Sequence, residues 1–314
     1  MLKSKIRRLP KADLHNHLIL GPSIQAIRKC YPNNNLDIPK YYNGLDGMIE
    51  YIHKNVNKLM KTKNDVIKFM EIAIEDCIKD NVVLLEASID IGLISYFSGS
   101  IEMLIEATSD LRNKYLGKID FRPEIGINKN YSLERAYIDA QKCIESGVYK
   151  GIDLYGPEKD MQLNGFVDLF LFAKKNGIKT KVHIGEFSEP NTIEEAIDLL
   201  DPDEIQHGIK AAYSKKTMSK ILEKDIQLNI CPQSNLSLGA EKSLALHPIR
   251  ALYDFGVKIT INTDDRILFG ASLTDQYVNL IKQKVFSFEE IDTIRKNALK
   301  NYNGSPSPSL ARAM

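Results

Sequence analysis

The chain has 314 residues, with 43% hydrophobic and 26% charged side chains, and its 42 Lys and Arg nearly balance 41 Asp and Glu for a formal net charge of +1. That balance excludes the basic footprint of a nucleic-acid binder, and no apolar run reaches the roughly 18 residues of a membrane helix. The length suits one large α/β barrel or two ordinary domains.

The N-terminus, "MLKSKIRRLPKADLHNH", is basic without an apolar stretch behind it, so no signal peptide is expected. The first strand is predicted over "KADLHNHL". It places His15 and His17 two residues apart, so both side chains point to one side and can reach one metal ion. Some sixty residues with several helical patterns follow, including "GLDGMIEYIHKNVNKLM". That is too long for an ordinary crossover and predicts a helical insertion over the barrel mouth. Strands are then predicted over "VVLLEASID", "KIDFRPEIGI", "KGIDLYG", "KTKVHIGEF", "EIQHGI", "IQLNICPQS" and "VKITINTDD", each short and apolar like a buried parallel strand. Helical patterns alternate with them at Ser132–Ser146, Gly165–Asn176, Ile193–Leu200 and Ser214–Lys224, and Asn176-Gly177 and Phe255-Gly256 read as helix stops. The expected fold is a (β/α)₈ TIM barrel over residues 1–304, with a doubly wound open sheet as the alternative. Residues 305–314, rich in Ser and Pro, are expected to be a disordered tail. Cys30, Cys77, Cys143 and Cys231 have no metal-site or disulfide spacing and suit reduced thiols in a cytoplasmic protein.

Polar residues gather at the C-terminal ends of these strands, where barrel enzymes build their sites. His15 and His17 end the first strand, His183 and Glu186 the fifth, His207 the sixth, and Asp264 and Asp265 the eighth. Three histidines and one aspartate, with room for a water, suit Zn²⁺. Asp264 and Asp265 are adjacent, so both reach the site only if the chain turns there; otherwise Asp265 caps the next helix. Glu186 follows Gly185, which permits a turn, and a carboxyl beside a metal is a natural proton donor or acceptor. His207 reads as a fifth ligand, an acid/base group or a buried core histidine. His247 reads as structural, His53 as surface or packing, and Cys231 as a buried thiol.

The stretches "LPKADLHNHL", "HIGE", "QHG", "CPQSN", "HPI" and "TINTDD" resemble, in order and approximate spacing, the adenosine deaminase branch of the metal-dependent amidohydrolases, from about Leu9 to Asn301. The resemblance implies that His15, His17, His183 and Asp264 hold one zinc per subunit. It implies that Glu186 protonates the purine nitrogen N1, and that His207 orients and deprotonates the attacking water. Asp265 bonds that water and the departing amino group, and the backbone N–H of Gly156 in "GIDLYGPE" meets N3. His17 also borders the substrate. A two-metal relative carries a bridging lysine or acid at the end of strand four; here Lys150 stands at its start, which favours one metal. The family commonly reads His-Leu-Asp-Gly after strand one, its acid reaching the ribose 5′-hydroxyl; this chain reads "HLILG", with Ile19 at that position. Ser23 and Asp90 are the other polar candidates for that contact. The implied activity is deamination of adenosine or 2′-deoxyadenosine to the inosine product and ammonia. Adenine, a 5′-modified adenosine or an N6-substituted purine nucleotide is the alternative substrate, and a purine-binding protein without turnover is the alternative of another class. The implied partner is a small purine nucleoside or base, with no nucleic acid or membrane.

Overall fold

A computed structural model describes residues 1–33, 36–159 and 162–302 of the chain, so the tail expected over 305–314 lies outside the described residues. Eight parallel strands run in chain order: β1 Lys11–Asp13, β2 Val82–Asp90, β3 Asp120–Asn128, β4 Gly151–Tyr155, β5 Lys179–Ile184, β6 Glu204–His207, β7 Gln227–Ile230 and β8 Ile259–Ile261. Each pairs with its sequence neighbour, for example Ile125 with Ile152 and His183 with Gln206. Ring closure between β8 and β1 comes from a parallel bridge of Asn16 with Asp264, where Asp264 N–H donates to the His15 carbonyl at 2.9 Å. A sheet closed in sequential order is a barrel and not a doubly wound sheet.

The strands lie where the apolar runs predict them, because strands covered on both sides read as continuous buried stretches. β2 is buried along all but its last residue. The first and last strands are shorter than expected. Leu14 N–H bonds the Asn262 side-chain oxygen at 2.8 Å, and Thr263 N–H bonds Asp13 Oδ1 at 3.1 Å. Side chains thus replace ladder partners there, and the chain leaves strand geometry before the histidines and aspartates of the site.

The helices follow their caps. Ser214 Oγ accepts from Thr217 N–H at the start of Lys215–Glu223, and Thr62 and Asp65 form a capping box at Lys63–Lys79. The two expected stops hold, with Gly177 at φ +70° and Gly256 at φ +94°. Between β1 and β2 the chain forms helices Ile24–Cys30, Gly44–Tyr51 and Lys63–Lys79, with a π-turn at Ile52–Val56.

Inside the barrel, away from the site, a buried ion network replaces apolar filling. Lys181 Nζ lies 2.7 Å from Glu86, 2.8 Å from Glu124 and 3.3 Å from Glu204, and donates to the Leu14 carbonyl at 2.8 Å. These contacts tie β2, β3, β5 and β6 to the residue just past β1. A buried charge with this many partners is compensated where an isolated one would not be.

Candidate active site

The C-terminal strand ends bring His15, His17, His183, His207, Glu186, Asp264 and Asp265 into one buried group. His15 Nε2 lies 3.0 Å from His183 Nε2 and 3.7 Å from Asp264 Oδ1, and His17 Nε2 lies 3.6 Å from the same oxygen. The ligand atoms of His15, His17 and His183 fall within 4.8 Å of one another.

Their outer nitrogens fix the tautomers. His15 Nδ1 faces the Asn229 carbonyl at 3.0 Å, an obligate acceptor, so that nitrogen carries the hydrogen. His183 Nδ1 faces Asp153 Oδ1 at 3.0 Å, a contact poorly aligned as a hydrogen bond but again with an acceptor. Asp153 is itself held by the Ser88 hydroxyl. Both Nε2 lone pairs therefore point at each other across 3.0 Å, an arrangement that calls for a cation between them. Burial, then the charges of His207, His183 and His17, push His15 well below the usual histidine range, so it stays neutral as a metal ligand must. Burial alone would lower His17 too, but Asp265, Asp264, Asp153 and Asp90 outweigh it and raise it. Cys231 lies within reach of His15 and His207, but burial and nearby carboxylates push its thiol well up, away from the thiolate a metal needs.

Backbone turns aim the remaining groups. Asp264 and His207 both adopt left-handed conformations, φ +59° and +64°, uncommon for residues with a side chain and concentrated at functional sites. The turn at Asp264 lets both adjacent aspartates enter the site. Asp265 occupies the N-cap position of helix Arg266–Phe269 but makes no side-chain cap bond, and its buried Oδ1 has no partner. Burial and the Asp264 charge, against His17, raise its carboxyl to about 8. Gly185, at φ +76°, starts the turn that carries Glu186. Burial and the charges of Asp264, Glu158 and Asp265, against a bond from Asn235, raise the Glu186 carboxyl well above its ordinary range. A carboxyl raised in this way keeps its proton to higher pH than an ordinary glutamate.

His207 Nε2 lies 3.6 Å from Glu186 Oε2 and 3.8 Å from Asp264 Oδ2, while its Nδ1 faces the Asn235 amide nitrogen at 3.3 Å. That nitrogen donates, so the neutral ring carries its hydrogen on Nε2. His247 is buried and hydrogen-bonded within the protein, a structural place. His53 is exposed, yet on the π-turn it borders the cavity mouth. Lys150 Nζ bonds the Gly147 carbonyl and does not enter the site.

Several residues with a part in this geometry went unassigned in the sequence. Asp153 orients His183. Glu158 accepts from the N–H groups of Gly185 at 2.7 Å, Glu186 at 2.9 Å and Ser188 at 3.0 Å, so one carboxylate holds the turn under Glu186. Lys129 Nζ donates to the His183 carbonyl at 2.7 Å. Asn235 donates to Glu186 Oε1 at 2.6 Å. The signals were the acid two residues after Gly156 and the last residue of "CPQSN".

Above these groups opens a cavity of about 530 Å³. Ile19, Leu20, Leu45, Met48, Ile49 and Ile52 form one wall, and Asp90, Gly156, Glu158 and Phe187 stand on others. Gly156 has φ +105°, and a Cβ there would lie 2.9 Å from Asn128 Oδ1, so the position accepts only glycine without displacement. Ser23 is spent capping helix Ile24–Cys30, where it accepts from Ala26 N–H. Asp90 does line the cavity, already accepting from Tyr131 at 2.6 Å, Gly92 N–H at 2.5 Å and the Tyr155 hydroxyl. Among the described residues lining the cavity there is no Lys or Arg, against five acids: Asp90, Glu158, Glu186, Asp264 and Asp265.

Residues 10–305 match the sequence model of the adenosine deaminase family. This chain belongs to the adenosine deaminase family. A putative adenosine/adenine deaminase of Treponema pallidum is 34% identical over 277 residues, 88% of this chain and 92% of the relative. Among solved structures, an adenine deaminase from Arthrobacter aurescens superposes with a TM-score of 0.82 at 21% identity, covering 96% of each chain. A zinc-bound amidohydrolase from Burkholderia ambifaria superposes at 0.79 with 19% identity, covering 99% of this chain and 90% of its own. As a member of the family, the chain is an aminohydrolase, an enzyme that removes an amino group hydrolytically. Among the described residues no helix is long and apolar enough to cross a membrane.

Proposed function

We propose that this deaminase acts on adenosine or 2′-deoxyadenosine, with one zinc per subunit held by His15, His17, His183 and Asp264. The observation that carries the reading is the approach of His15 Nε2 and His183 Nε2 to 3.0 Å, with the His15 outer nitrogen bonded to a carbonyl and the His183 outer nitrogen facing a carboxylate. Three imidazoles and a carboxylate suit zinc, and the Burkholderia relative on this fold holds it. Zinc bound there supplies Lewis acidity that makes a water nucleophilic near neutral pH.

The chain's own groups handle the protons. Glu186, held protonated, gives its proton to purine N1 as the water oxygen adds at C6, so the ring does not accumulate negative charge. His207 orients the water through Nε2; of the two tasks the resemblance implies, its tautomer supports this one. Asp265, with Oδ1 unpartnered, meets the water and the departing amino group. Gly156 brings backbone to N3. Asp265 relays one water proton to the amino nitrogen; as the C6–N bond breaks and ammonia leaves, the hydroxyl proton on C6 returns to the Glu186 carboxylate, so the C6–O bond remains as a carbonyl and Glu186 is protonated again.

Among the described residues the lining offers no Lys or Arg to pair a phosphate, which supports a nucleoside over a nucleotide. The apolar wall at Ile19, Leu20 and Leu45 favours a second reading, a 5′-modified adenosine whose substituent is apolar. Adenine, adenosine, 2′-deoxyadenosine, 5′-methylthioadenosine and AMP, followed by ultraviolet absorbance, test both. The expected result is turnover of the nucleosides, with AMP roughly 100-fold or more below adenosine in kcat/KM. AMP or free adenine as the best substrate would overturn the assignment.

A further inference from the structure

Glu186 has two carboxyl oxygens, and a proton is useful only on the one that substrate can reach. A chain of hydrogen bonds from a single backbone N–H determines which oxygen that is. Ile249 N–H, which can only donate, points at His247 Nδ1 at 3.1 Å. That nitrogen accepts, so the hydrogen of the neutral ring sits on Nε2. Burial, with the Lys210 charge, lowers His247 to about 3, and the ring stays neutral. Its Nε2–H faces Asn235 Oδ1 at 3.0 Å and thereby orients the amide. The amide nitrogen donates to Glu186 Oε1 at 2.6 Å. An oxygen that receives this bond does not present a hydrogen along the same line. The carboxyl hydrogen is left to Oε2, which lies 3.6 Å from His207 Nε2, too far to accept a hydrogen bond from it. Asn235, His247 and Glu186 are 0%, 2% and 5% exposed, so no bulk water competes for these bonds.

We propose that Asn235 and His247 are positioning residues that place the Glu186 proton on Oε2 and then hold the carboxylate left behind. The inference rests on Glu186 being the proton donor. In the transfer the Oε2–H bond breaks and an N1–H bond forms. The electron pair stays on Glu186, and the Asn235 bond strengthens because its acceptor has become an anion.

A double-mutant cycle tests it. Asn235→Leu keeps a similar volume without donor or acceptor. It is expected to lower kcat about 10- to 100-fold, the range for a hydrogen bond to a charged group, with KM within about threefold. In the Glu186→Gln background, which has no carboxyl proton to place, the same substitution is expected to cost at least about threefold less, only the share that passes through its bond to His207 Nδ1. An equal cost in both backgrounds would mean that Asn235 acts through His207 or the fold and not through the Glu186 proton, and would overturn the proposal. Near-normal turnover of Glu186→Gln alone would overturn the donor assignment itself, and the relay with it. His247 gives a second route if Asn235→Leu does not fold. His247→Gln retains an amide donor and is expected to stay within about threefold of wild type in kcat, while His247→Met, with none, falls about tenfold. Equal losses in the two His247 variants at matched thermal midpoints would also overturn it.

Discussion

Ile19 and Glu186 decide different things about the same substrate. Ile19 lies on the 3₁₀ turn Leu18–Leu20 that follows β1 and lines the cavity. It offers no acceptor to a sugar hydroxyl, and a buried hydroxyl without a partner costs about 1–3 kcal/mol, roughly 5- to 150-fold in kcat/KM. Asp90, the nearby acid, is already held by two tyrosines and a backbone N–H. The enzyme should therefore favour adenosine over 5′-deoxyadenosine less than an Asp-bearing relative does, and Ile19→Asp should raise that preference. An unchanged ratio of kcat/KM values would mean that the residue does not face the 5′ position. Glu186 governs the pH dependence. Its carboxyl is raised by burial and surrounding carboxylates, and the proposed mechanism uses its protonated form. Its contribution to kcat/KM should thus be present below the raised value and lost as pH rises through it. A profile limited by a group with an ordinary glutamate pKa, falling already above about pH 4 to 5, would contradict this.

Elements supply the aim. The turn after β5 carries Glu186 because Gly185 takes φ +76° and Glu158 gathers the N–H groups of Gly185, Glu186 and Ser188. A Cβ at Gly185 would sit 2.3 Å from Ile193 Cδ1. Gly185→Ala should therefore shift the turn, lowering kcat about tenfold or more, with a stability loss above about 1 kcal/mol. Urea denaturation and steady-state kinetics check both, and a fully active, fully stable variant would show the turn to be tolerant. The strands were legible because apolar runs of their length have few alternatives, and the histidines stood out as polar residues at their ends. The strand ends were not. Whether Leu14 pairs with backbone or with the Asn262 side chain is a contact across 248 positions. Asn235 and Glu158 escaped assignment for the same reason. Asn235 acts on Glu186 from 49 residues away, and Glu158 acts through backbone N–H groups that no residue pattern displays. The turn at Asp264 was foreseen only as a condition for both aspartates to enter, and its φ of +59° meets it.

The whole barrel divides its labour along its axis. The Lys181 network ties four strands to the residue just past β1 in the interior, and the candidate site occupies the C-terminal rim, where the ends of β1, β5, β6 and β8 each deliver one or two of its side chains. The helices between β1 and β2 add the apolar wall, so on the proposed reading the sugar side of the cavity belongs to a different part of the chain from the proton-transfer groups. That separation lets substrate preference change at Ile19 or Leu45 without disturbing Glu186. The central claim is that this rim deaminates adenosine with Glu186 as the proton donor beside a zinc held by His15, His17, His183 and Asp264. Ammonia release from adenosine by wild type and Glu186→Gln, each assayed with its zinc content, tests it most directly. The account predicts ammonia and inosine in equal amounts from wild type, and a variant slowed roughly 10²- to 10⁴-fold with zinc unchanged. Wild-type turnover in the zinc-loaded variant, or no ammonia from zinc-loaded wild type, would contradict it.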